Sequence, residues 1–207
     1  MSSYTVKCFW WRYVPGFLKS WIEGVIQNRT ENLFHSFEAF LDPDERVLDI
    51  GAGGGWIGQM VREKKNAKVT LLDVADFNQT EELLLLYDGK TMPFSVDSFD
   101  TSLLLLVLHH CEDPVNVLQE AKRVTSKKII IFEDTFVSKF DKMVVCLADV
   151  IWGSVSFLVE PFGEHMPCNF KRVTEWKEVF KSLDLQIVYQ KEYKTFFVKQ
   201  ILFVLQT

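Results

Sequence analysis

The run Asp49-Ile50-Gly51-Ala52-Gly53-Gly54-Gly55 lies between an apolar stretch, 46–50, and the amphipathic stretch that begins at Trp56. It reads as a buried strand that breaks into glycines and then opens a helix. Glycines at such a turn let backbone N–H groups approach an extended, nucleotide-bearing ligand with no Cβ in the way. Asp49 adds a carboxylate two places before the first glycine. Asp73 closes a second apolar run about twenty residues on, where a carboxylate can accept both hydroxyls of a ribose. Asp88-Gly89 precedes a third apolar run. That carboxylate suits the exocyclic amine of an adenine and the glycine backbone its ring edge, although the same pair also makes an ordinary turn.

A second set of residues could move protons. His109 and His110 follow the apolar run 101–107, while Glu133 and Asp134 follow the run 128–132. An imidazole titrates near neutral pH and suits general-base work; packing or helix capping is the competing role for the pair. The polar, turn-rich loop 163–170 offers His165 and Asn169 as substrate contacts, against a purely connecting role. Near the start, Trp10, Trp11 and Tyr13 could form an aromatic lid, with cation–π attraction toward a bound cation, or else pack on the sheet edge. Cys8, Cys111, Cys146 and Cys168 are scattered, with no CxxC pair and no zinc-like spacing, so no metal site is expected.

The elements that must position these groups follow from hydrophobic periodicity. Strands are predicted over 46–50, 69–72, 101–107 and 128–132, with helices over 56–64 and from Asp113-Pro114 to about Val124. The uniformly apolar run 101–107 fits a central parallel strand covered on both faces. An apolar helix pair is expected over 139–159, then a short helix capped by Thr174. Two final runs, 185–192 and 195–205, are joined too tightly for a helical crossover and must pair antiparallel. The result is an open, doubly wound α/β sheet in one domain, with residues 1–42 as a helical arm or lid and 43–207 as the core. Ligands of such sheets bind beyond the carboxyl ends of the strands, where strand order reverses.

Two cofactor readings compete at the glycine loop. A dinucleotide fingerprint, G-x-G-x-x-G, should start directly after the strand. Counted from Gly51 its last position is Trp56, whose side chain is expected to obstruct helix–strand packing; Gly53, Gly55 and Gly58 satisfy the spacing two residues late. In the order Asp49-x-Gly51-x-Gly53, Asp73, Met92-Pro93-Phe94, Ser98-Phe99-Asp100 and Leu108-His109-His110, the chain resembles class I S-adenosylmethionine-dependent methyltransferases, and among them the type 11 branch. The resemblance spans about Arg46 to Glu133. It implies a Rossmann-like, seven-stranded, mostly parallel sheet with an antiparallel last strand. It also implies S-adenosyl-L-methionine as cofactor. Gly51 and Gly53 would line its aminocarboxypropyl arm, Asp49 would orient its amino group, and Asp73 would hold its ribose. Asp88 and Gly89 would face the adenine, Val74 would stand where many relatives stack a larger residue on that ring, and the backbone near Leu105 would face the methionine part. The helix after the third strand looks short or absent between Glu82 and Tyr87.

Bulk properties bound the partners. A formal charge of −5 argues against a general nucleic-acid binder, and no nucleic-acid partner is expected. Four thiols without a secretory leader suggest a reducing, cytoplasmic setting. The apolar stretch 143–159 contains Asp149 and falls short of the roughly 20 residues of a spanning helix, so burial is favoured over contact with a membrane surface or lipid. The function expected is direct in-line methyl transfer to a small molecule, a hydrophobic one fitting the apolar helices and aromatic arm. The alternatives are a catalytically silent S-adenosylmethionine-binding regulatory module and, on the displaced glycine register, an NAD-dependent oxidoreductase.

Overall fold

The computed structural model describes residues 13–156, 168–195 and 198–207. Helix α1 (Gly16–Phe37) and a 3-10 turn (Glu38–Phe40) lead into β1 (Arg46–Ile50), α2 (Trp56–Lys65), β2 (Lys68–Asp73), β3 (Leu84–Leu86) and β4 (Phe99–Leu105). A second 3-10 turn (Leu108–His110) is followed by α3 (Pro114–Val124), β5 (Thr125–Thr135) and α4 (Lys139–Ser156). Helix α5 (Val173–Ser182) and the hairpin β6 (Gln186–Thr195), β7 (Val198–Gln206) complete the order.

The strands form one seven-stranded sheet in the order β3-β2-β1-β4-β5-β7-β6. Neighbours from β3 through β5 are parallel, whereas β7 runs antiparallel to both β5 and β6. The expected hairpin is therefore present, with its second strand inserted beside β5. Val47, Leu48, Leu103, Leu104 and Ile129 to Ile131 are fully buried, as continuous apolar strands with both faces covered must be. Phe34 and Phe37 of α1, with Met60 and Val61 of α2, cover one face. Leu118 and Ala121 of α3, with Trp176 and Phe180 of α5, cover the other. Each large apolar side chain buried in this way contributes roughly 1.5–3 kcal/mol.

Local signals explain several boundaries, and tertiary pairing moves others. Asp113 caps α3, its Oδ1 accepting from the amides of Val115 and Asn116 at 3.1 and 3.0 Å, with Pro114 in the first turn. Strand β4 ends at Leu105, short of the expected 107, because Leu106 turns to a left-handed φ of 59°. Strand β5 begins directly where α3 ends and is longer than expected, since β4 on one side and β7 on the other extend its pairing. Residues 84–86, expected near a short or missing helix, are edge strand β3, paired in parallel with Leu71 to Asp73. Thr174 does not cap α5; the helix starts one residue earlier, and the Arg172 amide donates to Glu175 Oε2 at 2.6 Å. The segment expected as a helix pair is one continuous helix, α4, through Ser156. Among the described residues no helix is long and apolar enough to cross a membrane.

Candidate functional site

Strands β1 and β4 are neighbours whose chain connections lead to opposite edges of the sheet, which opens a crevice beyond their carboxyl ends. The glycine loop lies there. Gly51, Gly53 and Gly55 have φ values of 70°, 52° and 78°, in the left-handed region that glycine enters without strain. A Cβ on Gly51 would fall 2.1 Å from Val107 Cγ2, so the loop closes directly on the segment after β4. A Cβ on Gly58 would fall 2.4 Å from Leu71 Cδ2, so α2 packs closely on β2 at that residue. Trp56 does not obstruct this approach, because its side chain packs with Ile22 and Ile26 of α1.

Asp49 is only 3% exposed, and its Oδ2 has no hydrogen-bond partner among the described residues. Burial, and then the Asp73 carboxylate, push its pKa up to about 7 against the opposing pull of the nearby Gly58 amide, which stands outside good hydrogen-bond geometry to Oδ2. A buried acceptor that is not fully hydrogen-bonded costs on the order of 1–3 kcal/mol, which an N–H-bearing or cationic ligand would recover. Asp73 sits at the end of β2. Its Oδ2 accepts from the Gly53 amide at 2.8 Å and its Oδ1 from the Val74 amide at 2.7 Å. The Ala75 amide also approaches this carboxylate, whose two oxygens together can accept about four hydrogen bonds. Burial raises the Asp73 pKa.

One strand further out, Val74 is exposed and Gly89, at φ 75°, stands beside it; a Cβ on Gly89 would contact Val74 Cγ1 at 3.4 Å. Asp88 closes the turn here, its Oδ1 accepting from the amides of Lys90 and Thr91 at 2.8 and 2.9 Å, which holds its pKa below the usual range. Leu105 ends β4 on the other side of the crevice, followed by the left-handed Leu106, whose amide donates to the Phe132 carbonyl at 2.7 Å. Asp49, Gly51, Gly53 and Asp73 are thus gathered at one crevice, with Val74, Asp88 and Gly89 on one side and Leu105 on the other.

The proton-handling candidates form a separate cluster over the ends of β4 and β5. Glu133 is fully buried, and its Oε1 accepts from the Val107 and Leu108 amides at 2.9 and 2.7 Å. Its Oε2 lies 2.6 Å from His109 Nδ1. On the far side of both rings, His109 Nε2 and His110 Nε2 each lie 3.7 Å from Asp149 Oδ1. Burial alone would lower the His109 pKa, but Glu133 and Asp149 outweigh it and lift the group to about 10. Burial, and then His109, hold His110 down at about 4. Asp134 hydrogen-bonds Gln200 at 2.8 Å, on β7.

Asn169 returns over this cluster. Its amide donates to the His109 carbonyl at 3.0 Å and its Nδ2 to the Cys111 carbonyl at 2.7 Å, while Phe170 stacks on the His109 ring. Tyr13 is exposed. Trp10, Trp11 and His165 lie outside the described residues. Sequence reasoning gave Asp149 and Val107 no place in the site. Asp149 did leave a signal: a carboxylate in a strongly apolar helix needs a partner, and here it faces two imidazoles.

Comparison with known proteins bears on the fold. Residues 48–132 match the family model described as a methyltransferase domain. An uncharacterised protein of Methanocaldococcus jannaschii is 26% identical over 152 residues, covering 69% of this chain and 72% of the relative. A putative methyltransferase of Bacillus halodurans superposes with a TM-score of 0.61 at 14% identity, over 86% of this chain and 97% of that one. A putative sarcosine dimethylglycine methyltransferase of Galdieria sulphuraria gives 0.66 at 12% identity, over 89% and 87%. At these identities the structures speak for the fold.

Proposed function

We propose that this chain, which has the class I S-adenosylmethionine-dependent methyltransferase fold and matches the methyltransferase-domain model across its central strands, transfers a methyl group from S-adenosylmethionine to a small molecule. The observation that carries this reading is Asp49 Oδ2, a buried acceptor without a partner beside three left-handed glycines. It fits a ligand that brings a cationic amino group into a backbone-lined cradle. A dinucleotide, which presents a pyrophosphate there, would meet a carboxylate instead. The antiparallel β7 favours the same reading, since dinucleotide-binding sheets of this type are built from parallel strands.

When bound, the cofactor supplies a sulfonium methyl that is already electrophilic. The chain's own task is then placement. Asp73 would accept the ribose hydroxyls while keeping its bonds to the Gly53 and Val74 amides, which fixes the height of the loop. Asp49 would orient the amino group, and Val74 with Gly89 would leave a slot for the adenine. Gly51 against Val107 brings the loop up to the segment that follows Leu105. Holding reactants in line and away from water can contribute on the order of 7–11 kcal/mol. Glu133 and His109 hold the far wall of the crevice as a hydrogen-bonded unit.

The deciding experiment is isothermal titration with S-adenosylmethionine and with its demethylated product. Micromolar binding of both, abolished in Asp73→Ala, is expected; absence of heat with either ligand would sink the reading. A titration with NADH is expected to give no signal.

A further inference from the structure

We propose that His109, His110 and Asp149 form a binding site for a divalent first-row transition ion, through Nε2 of each histidine and a carboxylate oxygen of Asp149. One ligand atom from each of the three residues lies within 4.8 Å of the others. The residues are far apart in the chain, and the fold brings them together. The 3-10 turn Leu108–His110 sets the two imidazoles side by side, ring centroids 3.9 Å apart, and α4 lowers Asp149 onto them.

Glu133 determines which nitrogen is offered. It takes two backbone amides on Oε1 and His109 Nδ1 on Oε2, so Nδ1 is the donor. In a neutral His109 the lone pair is then on Nε2, which faces Asp149 Oδ1 at 3.7 Å. His110 Nε2 faces the same oxygen at the same distance. That separation is beyond an N–H···O hydrogen bond. Protonated His109 forms an ion pair with Asp149 across that gap, and an ion entering between the three atoms would displace the proton. Around an ion with bonds of about 2.0–2.2 Å, neighbouring donors stand roughly 3–3.5 Å apart, so each histidine needs to move only a few tenths of an ångström toward Asp149 and the two imidazoles must close from within 4.8 Å of each other.

The rest of the cluster has the form of a support for such a site. A buried carboxylate on the distal nitrogen of a ligating histidine fixes its tautomer and raises its basicity. Phe170, stacked 4.4 Å from the His109 ring at 20°, fixes the ring plane. Arg29 of α1 brings a positive charge near Asp149. Two imidazoles and one carboxylate suit zinc, cobalt, iron(II) or manganese better than magnesium or calcium, which prefer oxygen donors. Three protein donors also leave a coordination position for an outside ligand. The ion would stand two residues from Val107, which abuts Gly51, and so beside the glycine crevice. None of this rests on the methyl-transfer reading.

The test is to strip the protein with chelator and titrate it with Co2+, following the ligand-field bands, with Zn2+ as competitor. A single equivalent should bind without intense thiolate charge transfer. His110→Gln and Asp149→Asn should each weaken it at least about tenfold with unchanged circular dichroism, and Glu133→Gln by about 10–100-fold. Cys146 and Cys168 lie close together near Asp149, so Cys146→Ser/Cys168→Ser must retain the site. Failure of the wild type to bind either ion overturns the proposal. So does wild-type affinity in whichever of the His110 and Asp149 variants folds, or loss of binding in the cysteine double variant.

Discussion

The Asp73 carboxylate accepts from the Gly53 amide at 2.8 Å, tying the end of β2 to the glycine loop after β1. One side chain therefore shapes the loop and offers lone pairs to whatever the loop holds. Asp73→Ala should raise the Kd for S-adenosylmethionine by at least about a hundredfold, taking charged hydrogen bonds at about 1.5–3 kcal/mol each. Titration calorimetry checks this, with the melting temperature of the unliganded protein recorded beside it.

The raised Asp49 pKa makes a signed prediction. With a native value of about 7 and an unfolded value near 4, the folded protein holds a proton that the unfolded chain releases between those limits. This residue's contribution to stability therefore falls as pH rises from about 4 to 7 and is level above. Asp49→Asn should be more stable than wild type at pH 8, with the advantage gone by pH 4, in urea denaturation at both pH values. The same variant should bind S-adenosylmethionine weakly at every pH. Wild-type affinity should rise with pH up to about 7, where Asp49 is ionised without help.

Gly51 allows no side chain. Gly51→Ala should lose about 1–3 kcal/mol to overlap with Val107 and roughly 1–2 more to its left-handed φ. Adding Val107→Ala should restore only some of the first part, because the Val107 Cβ itself would stand 2.8 Å from the new methyl, and should leave the second untouched. Chemical denaturation of the two single variants and the double variant separates them.

Asn169 links the returning segment to the His109 and Cys111 carbonyls. Asn169→Ala should lower stability by about 1 kcal/mol through the lost Nδ2 bond. Its effect on turnover should fall on the acceptor's KM, with the cofactor's Kd unchanged, since the crevice residues are elsewhere. Steady-state kinetics against a methyl acceptor would read this.

Much of the glycine crevice was legible along the chain. Strand β1 matches its predicted bounds, and the Asp113-Pro114 helix start follows from a cap and a proline that act within three residues. The short link between the last two runs required an antiparallel hairpin, and β6 with β7 is one. Where side-chain direction mattered, the sequence was a weaker guide. Trp56 stood at a position where a bulky residue should obstruct packing, yet the turn of α2 aims it at α1 and leaves Gly58 on β2. The edge strand Leu84–Leu86 was hidden because three leucines carry no alternation, and only their pairing with β2 makes them a strand.

The sequence by itself determined the sheet class, the glycine loop and the acidic residues that close the first two strands. Those features depend on steric and hydrogen-bonding rules that operate over a handful of neighbouring residues. Tertiary structure alone decided that Glu133 would fix one ring nitrogen of His109 and that Asp149 would meet the other side of the histidine pair. These groups lie on β5, a 3-10 turn and α4, and their convergence depends on how a helix packs over strand ends. No local spacing encodes that distance.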